Sequence, residues 1–433
     1  MPSEKNEHAP LTAAKHRTAF FRQSGWLMIA NVAGGVFMWA VHFLSKWMPA
    51  KEYGVFGAFL AVAMCVPMMP LLMALTHQTA LALATGRRGE LAGMIRAVWL
   101  GTSGLWVVVA ILTWVGQGEI MRRWEVTNPA CIWISLMVVL LVLWAPLFQG
   151  ILQGQQNFFW LGWSMMLNGV GRFGVAALAV TVFGAYATGM LAGVLAGSVL
   201  AVGIGAWQTR SLWQAAPLPF DWRSLLREVF PQMLGFGAFQ CLFSADTMFV
   251  KGYFPGDEVG FYISAGVLSR ALMWLVGPLA TVMFPRIVHS TARAEKSDLM
   301  GLVLIGTTIL AVVGAVCLSI LGPWIVRFVY KESYVGVATA VLPWYAAAMV
   351  PLAIANVLLN NLLARSTFKV VFPLCVLAGA YAIGLTQFHS SLVSVLKTLL
   401  ASNVALLALC SWYTWGPQGS KPGMDKPQAA VQV

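Results

Sequence analysis

Charged side chains inside long apolar stretches are the residues of this 433-residue sequence whose types could do chemistry. Arg172, Arg270 and Lys397 are cations, and Asp246 is a carboxylate. An arginine at the centre of a membrane helix costs about 2.5–3.5 kcal/mol even on the lower insertion scales, so it is expected to face water or a partner. An excess of cations over carboxylates favours a pathway for an anion, and a guanidinium suits bidentate contact with phosphate.

Each of these residues also has a structural interpretation. Arg270 lies near the middle of its stretch and is the best candidate for contact with an anionic substrate. Arg172 binds the same anion, pairs with Asp246 or extends to the membrane interface. Asp246 is an ion-coupling site, the partner of one of the two arginines, or a residue near the outer end of its span, and a salt bridge is the preferred interpretation. Lys397 lies near the start of its stretch, so its ammonium is expected to extend to the membrane surface.

Amide side chains add hydrogen-bonding groups to the same stretches. Asn168 lies one helical turn before Arg172, and Asn356 and Asn360 are four residues apart, so these two share a helix face. We predict that all three amides bind sugar hydroxyls, and hydrogen bonding between helices is the alternative.

Signatures of catalysis, metal binding and nucleic-acid binding are missing from the sequence. The six cysteines are scattered singly, and there is no Walker A, HExxH or GxSxG sequence. The net charge of +12 comes without a run of lysines and arginines interleaved with aromatic residues. The sequence therefore predicts no catalytic residue, metal, cofactor or nucleic-acid partner.

The elements that position these residues are twelve apolar stretches, each long enough to cross about 30 Å of hydrocarbon as a helix. The chain is 59% hydrophobic and 10% charged, whereas soluble domains are about 25% charged. We therefore predict an all-α integral membrane protein. Its spans are predicted at 26–46, 53–75, 94–115, 132–152, 160–183, 186–207, 230–253, 259–283, 300–321, 337–363, 368–387 and 391–413.

Basic residues are distributed unevenly between the two ends of these spans. Of the 27 lysines and arginines, 17 lie in the tails or in loops after even-numbered spans, and 7 lie in loops after odd-numbered spans. This bias predicts that both termini are cytoplasmic. The predicted organisation is a cytoplasmic N-terminal tail (1–25), a first six-helix bundle (26–207), a cytoplasmic interfacial connector (208–229), a second six-helix bundle (230–413) and a cytoplasmic C-terminal tail (414–433).

The two predicted bundles share a short internal repeat. Pro49–Phe56 follows the first span and Pro255–Tyr262 follows the seventh, with proline, glutamate and glycine in register. A weaker match pairs Gly154–Phe158 after span four with Ala364–Phe368 after span ten. Six spans in each copy make the two bundles parallel, an arrangement that secondary transporters use around a central cavity.

Several of these segments carry a resemblance to a known family. The stretch Trp26–Gly57, with its Pro-x-x-Glu-Tyr-Gly, resembles the start of the polysaccharide transporter (O-antigen flippase) family. That family belongs to the multidrug/oligosaccharidyl-lipid/polysaccharide exporter superfamily. Similar second-half segments are Leu225–Pro231, Asp246, Glu258–Tyr262 and Met283–Arg286. Lipid II flippases of this superfamily usually have fourteen spans, so twelve spans argue against lipid II as the substrate.

The resemblance implies a fold and a function. Two six-helix bundles would enclose a V-shaped cavity and move an undecaprenyl-pyrophosphate-linked oligosaccharide from the cytoplasmic to the outer leaflet by alternating access. The setting would be the bacterial inner membrane, with membrane lipid, glycosyltransferases and a polysaccharide polymerase as partners.

Two alternative functions stay open from the sequence. A cation-coupled multidrug extruder of the same superfamily would use Asp246 as its coupling site. A membrane-embedded glycosyltransferase or polymerase would need paired carboxylates or a large extramembrane loop, and the sequence shows neither.

Overall fold

The computed structural model describes residues 13–292, 299–365 and 367–416. Residues 1–12 of the predicted N-terminal tail and 417–433 of the predicted C-terminal tail lie outside the described residues. Within the described ranges the chain is helical and contains no strand. The α-helices are α1 Ala13–Ala40, α2 Ala50–Met64, α3 Met69–Ala84, α4 Arg88–Arg123, α5 Ala130–Gly154, α6 Phe158–Thr181, α7 Tyr186–Trp213, α8 Trp222–Tyr253, α9 Gly256–Ala292, α10 Leu299–Val329, α11 Glu332–Ala364, α12 Val371–Gln387 and α13 Leu392–Trp415.

These helices correspond to the twelve predicted spans. α1 continues into a 3₁₀ helix, Val41–Trp47, and the two form the first span. α2 and α3 form the second span and meet at 43°, because Pro67 lies between them and Pro70 lies in the first turn of α3. In the described residues, ten helices are long and apolar enough to cross a membrane, and this bent pair adds an eleventh. The less apolar α6 is the twelfth, and the predicted all-α fold with about twelve membrane helices is confirmed.

The helices pack as two groups that follow the two halves of the chain. In the first half, α6 packs between α1 and α7, and α5 packs against α3 and α7. In the second half, α11 is central and contacts α9, α10 and α13, while α12 contacts α8 and α13. The halves meet mainly where α2 packs against α8 and α9 and where α3 packs against α8.

The segment between the halves is shorter than the predicted connector. α7 extends to Trp213, and α8 begins at Trp222 and continues without a break through the seventh span. The second part of the predicted connector is therefore the beginning of α8, and the described residues form no separate interfacial helix there. Residues 214–221 are held against α4, because Arg96 donates hydrogen bonds to the carbonyl oxygens of Trp213 (3.2 Å) and Ala215 (3.1 Å).

The two copies of the internal repeat contact each other. The backbone N–H of Lys51 donates to Asp257 Oδ1 at 3.0 Å, and these residues are separated by 206 positions, the offset of the repeat. Gly54 and Gly260 have the same offset, and a Cβ at Gly54 would lie 3.2 Å from the nitrogen of Gly260. A methyl group at Gly260 would overlap the carbonyl oxygen of Ala50. The duplicated motifs therefore form a near-symmetric contact between the halves at one end of the molecule, which we call the repeat contact.

Glycines on α7 bring this helix close to α6, which carries two of the predicted site residues. A methyl group at Gly193 would overlap the carbonyl oxygen of Arg172, and one at Gly197 would overlap that of Asn168. On the opposite side of α6, a Cβ at Gly34 would lie 2.6 Å from the carbonyl oxygen of Met165. Small residues therefore fix α6 between α1 and α7 at backbone contact distance.

This packing predicts a contrast between two glycines of α7. Replacing Gly193 by alanine places a methyl group against backbone that cannot rotate away, so it should destabilise the protein by about 1–3 kcal/mol. Gly203→Ala is the matched control, because no atom lies within 4 Å of where its Cβ would be, and alanine favours a helix. Thermal unfolding in detergent measures both changes. Equal midpoints for the two variants would contradict the packing.

Candidate functional site

A cavity of about 660 Å³ lies between the two halves. Its walls come from α1, α2, α5, α6 and α7 of the first half and from α8 and α9 of the second. Most of the lining is apolar, and no carboxylate is among its described lining residues. The polar and charged lining residues are His42, Gln149, Asn168, Arg172, Ser198 and Arg270.

Arg172 brings an unpaired charge to this cavity. The residue is 6% exposed, and it makes no hydrogen bond or ion pair with a described residue. Its Nε is buried without a hydrogen-bond partner. A buried charge without a partner is costly, so this guanidinium is expected to interact with something that enters the cavity.

Arg270 lines the same cavity from the second half, but it is paired. Its Nη2 donates to Asp246 Oδ1 at 2.9 Å and to Thr247 Oγ1 at 2.8 Å, and its Nε donates to the carbonyl oxygen of Phe243 at 3.0 Å. The guanidinium also lies 5.5 Å from the ring centre of Phe243 and 5.4 Å from that of Tyr345. Nη1 has no hydrogen-bond partner among the described residues, so it is the nitrogen that Arg270 can offer to a ligand.

Asp246 is fully buried and is saturated with donors. Besides Arg270, the hydroxyls of Tyr262 (2.7 Å) and Tyr345 donate to its Oδ2. Of the two arginines proposed as its partner, the structure therefore pairs it with Arg270 and not with Arg172. No group of three or more histidine, cysteine, aspartate or glutamate residues is placed to hold a metal in the part of the chain that the structure describes. A role of Asp246 in ion coupling stays a prediction.

The predicted amides divide into two groups. Asn168 lines the cavity one turn from Arg172, whereas Asn356 and Asn360 on α11 are outside its lining. Asn360 Nδ2 donates to Asn356 Oδ1 at 2.9 Å and to the carbonyl oxygen of Asn356 at 2.7 Å. This pairing fits the structural alternative of the sequence analysis. Lys397 is also outside the lining, and its ammonium lies over the ring of Trp344.

Several residues of this region were not predicted from the sequence. His42 lies in the cavity wall, and its Nδ1 is 2.8 Å from the hydroxyl of Tyr53. That hydroxyl is in turn 3.1 Å from the hydroxyl of Tyr330, which belongs to the second half. His42 is the one histidine inside a predicted span, and that signal could have identified it. No feature of the sequence identified Tyr262 and Tyr345 as partners of Asp246.

Solved structures with the same architecture include transporters of one superfamily. An inward-facing multidrug resistance MATE family transporter of the MOP superfamily has a TM-score of 0.70 and 12% identity, covering 89% of this chain and 94% of that chain. The lipid II flippase MurJ in an inward closed conformation has a TM-score of 0.68 and 14% identity, covering 91% and 87%. A eukaryotic MATE transporter has a TM-score of 0.61 and 13% identity, covering 92% and 98%. These identities establish the shared fold alone.

Sequence comparison identifies the family. No curated protein matches the chain, but the family model described as lipid II flippase MurJ matches residues 94–422. The superfamily predicted from the sequence motifs is therefore confirmed. The matched model is that of the lipid II flippases and not that of the polysaccharide transporters that the motifs resemble, so the argument from twelve spans against a lipid II flippase is not supported. The matched residues are well over half of the sequence, and the chain belongs to the lipid II flippase MurJ family.

Proposed function

We propose that this protein moves a polyprenyl-pyrophosphate-linked glycan across the membrane. The observation that carries the proposal is the buried guanidinium of Arg172, which lies in the wall of a cavity between the two halves and has no partner among the described residues. Nη1 of Arg270 offers a second donor from the other half. A diphosphate could be held by both, because arginine donors match phosphate oxygens in charge and geometry.

The rest of the cavity suits an amphipathic substrate. Its wall is largely aliphatic and aromatic, with Trp39 and Trp274 among the lining residues, and the amides of Gln149 and Asn168 supply donors and acceptors for sugar hydroxyls. Lipid II is itself a polyprenyl-pyrophosphate-linked saccharide, and family membership favours it. The motifs of the sequence favour a longer oligosaccharide. Both share the diphosphate that the arginines would bind.

The repeat contact suggests how access could alternate. In this proposal both termini are cytoplasmic, as the distribution of basic residues favours, and the repeat contact lies at the outer end. In this proposal the protein lies in the bacterial inner membrane, and the substrate enters from the cytoplasmic leaflet while the repeat contact closes the outer end. Separation of the two motifs would then expose the glycan outside. Glycosyltransferases and polymerases that use the same lipid carrier are the expected partners.

The cavity gives little support to the two alternatives. A multidrug extruder for cations would gain from a carboxylate in the binding site. Among the described residues, the carboxylate that contacts a lining residue is Asp246, and it is enclosed by Arg270 and two tyrosines. A glycosyltransferase or polymerase would need paired carboxylates, and the described lining has none. The positive charge of Arg172 favours transport of an anionic substrate over both of these alternative functions.

Reconstitution in liposomes tests this function and its substrate. Labelled lipid II and an undecaprenyl-pyrophosphate-linked oligosaccharide are incorporated into separate sets of liposomes. Flipping is measured as the change in the fraction of labelled lipid that an impermeant glycan-modifying enzyme outside the liposomes can reach. We expect protein-dependent flipping of at least one of them, and Gly203→Ala should flip at the wild-type rate. Rates equal to those of empty liposomes for both lipids, with protein-dependent efflux of a cationic dye, would contradict the proposal in favour of the extruder.

A further inference from the structure

His42 lies in the cavity wall where α1 gives way to the 3₁₀ helix Val41–Trp47. A change of helix type inside a span is a frequent position for a hinge. The residue is 6% exposed, and its Nδ1 is 2.8 Å from the hydroxyl of Tyr53. Whichever of these two atoms donates the hydrogen bond, Nε2 has no partner among the described residues. Nε2 is therefore the ring nitrogen that can serve a ligand in the cavity.

The charged and titratable groups around His42 are few. Arg172, from α6, is the charge that acts on the imidazole. Tyr53, from α2, shares its hydrogen bond, and Tyr330, which follows α10, continues the chain of hydroxyls. No ion pair of the described residues involves His42 or Arg172. Burial of the ring and the neighbouring cation both oppose a positive charge on the imidazole, so the empty cavity suits its neutral form.

We infer that His42 is a third ligand for the substrate's diphosphate and that it takes up a proton when the diphosphate binds. This inference rests on the proposed function. A diphosphate held by Arg172 and by Nη1 of Arg270 brings several negative charges beside the ring. The field at His42 then reverses, so the imidazolium becomes the favoured form. Its Nε2–H donates to a diphosphate oxygen, and the proton taken from water resides on Nδ1.

The added proton also changes a hydrogen-bond chain that joins the two halves. With His42 neutral, the hydroxyl of Tyr53 can donate to Nδ1 and accept from Tyr330. With His42 protonated, Nδ1–H donates to the Tyr53 oxygen, so Tyr53 must donate to Tyr330. Tyr53 lies within the first repeat motif, and Tyr330 lies in the second half. Substrate binding is therefore communicated to the region of the repeat contact, which has to separate during transport.

Calorimetry on the full chain in lipid nanodiscs tests this inference. Farnesyl pyrophosphate is titrated in buffers of different ionisation enthalpy at pH 7.5, which gives its affinity and the number of protons taken up. His42→Gln keeps an acceptor for Tyr53 but cannot be protonated. We expect this variant to take up fewer protons than the wild type and to bind about 10-fold more weakly, because one charge-assisted hydrogen bond is lost.

Two comparisons make the result specific. His77→Gln is the matched control, because His77 is exposed on α3 and lies outside the cavity lining, and it should behave as the wild type. Over pH 8 to 6 the affinity of the wild type should rise more steeply than that of His42→Gln, because binding is linked to proton uptake. Protonation of farnesyl pyrophosphate itself is common to all three proteins and cancels in the comparison.

The outcomes separate this inference from the proposed function. Equal proton uptake, or parallel pH dependence, in the wild type and His42→Gln would overturn the role of His42. Absence of farnesyl pyrophosphate binding by the wild type would overturn both the histidine and the diphosphate site. Binding with histidine-dependent proton uptake, but without flipping of either glycolipid in liposomes, would overturn the proposed function and leave the diphosphate site in place.

Discussion

Replacing Arg172 by alanine should abolish flipping while leaving the protein folded. Two charge-assisted hydrogen bonds to the diphosphate would be lost, each worth about 1.5–3 kcal/mol, so transport should fall by at least about 100-fold. Stability should be unchanged or higher, because the variant removes a buried charge that has no partner among the described residues. Flipping in liposomes and thermal unfolding in detergent measure the two effects on the same preparation.

Two further variants show whether the charge of Arg172 is what matters. Arg172→Lys keeps the charge but offers a single donor group in place of the planar fork, so it should retain an intermediate rate. Arg210→Ala is the matched control, because Arg210 is exposed on α7 and lies over the ring of Trp207; it should be fully active. Wild-type flipping by Arg172→Ala, or loss of flipping only in proportion to loss of folded protein, would contradict the role of Arg172.

Replacing Asp246 by alanine should have the largest effect on stability. The variant leaves the Arg270 guanidinium and the hydroxyls of Tyr262 and Tyr345 without their shared acceptor. Breaking a buried ion pair in this way costs about 3–5 kcal/mol. The double variant Asp246→Leu/Arg270→Met removes both charges and should recover much of the lost stability, but not transport, because the Nη1 donor is gone. Chemical unfolding in detergent measures the recovery.

The same residue distinguishes a structural pair from ion coupling. In Asp246→Asn the amide oxygen can still accept from Arg270 or from a tyrosine, and we expect reduced stability with residual flipping of unchanged cation dependence. If instead Asp246→Asn is as stable as the wild type and has lost a dependence of transport on sodium or protons, Asp246 is the coupling site. That result would contradict the assignment of Asp246 as the anchor that positions Arg270.

The membrane spans could be predicted from the sequence because they depend on composition over about 20 residues. Each predicted span coincides with a helix or with a pair of helices in the described residues. The bend between α2 and α3 also has a local cause in Pro67 and Pro70. The length of α8 did not follow from hydropathy, because its first turns, with Arg223 and Arg227, resemble a polar connector but continue the same hydrogen-bonded helix.

The partners of the charged residues could not be predicted from the sequence, because pairing depends on how helices rotate and pack. The separation of Asp246 from Arg172 and Arg270 in the sequence does not show which arginine it contacts. In the structure its carboxylate faces α9 and α11, where it accepts hydrogen bonds from Arg270 and Tyr345. The sequence therefore ranked Arg270 first as an anion ligand, whereas the structure gives the uncompensated charge to Arg172.

The roles of the amide side chains could not be predicted from the sequence either, because they too depend on helix packing. Asn168, Asn356 and Asn360 are equivalent in sequence terms, since each interrupts an apolar helix. Only packing shows that Asn168 reaches the cavity beside Gly197 of α7, while Asn356 and Asn360 satisfy each other on α11. The internal repeat was visible in the sequence, but its role as a contact between the halves required the two motifs to be seen together.

The most direct test of the account is whether position 172 can be reached by an anion from the cavity. Arg172→Cys and Ala176→Cys are made in a background without the six native cysteines; Ala176 is one turn further along α6 and fully buried. An anionic, membrane-impermeant thiol reagent is then applied with and without farnesyl pyrophosphate. The account predicts modification at position 172 that farnesyl pyrophosphate slows, and none at position 176. A thiol at position 172 that stays unmodified, or is modified equally with and without farnesyl pyrophosphate, would contradict it.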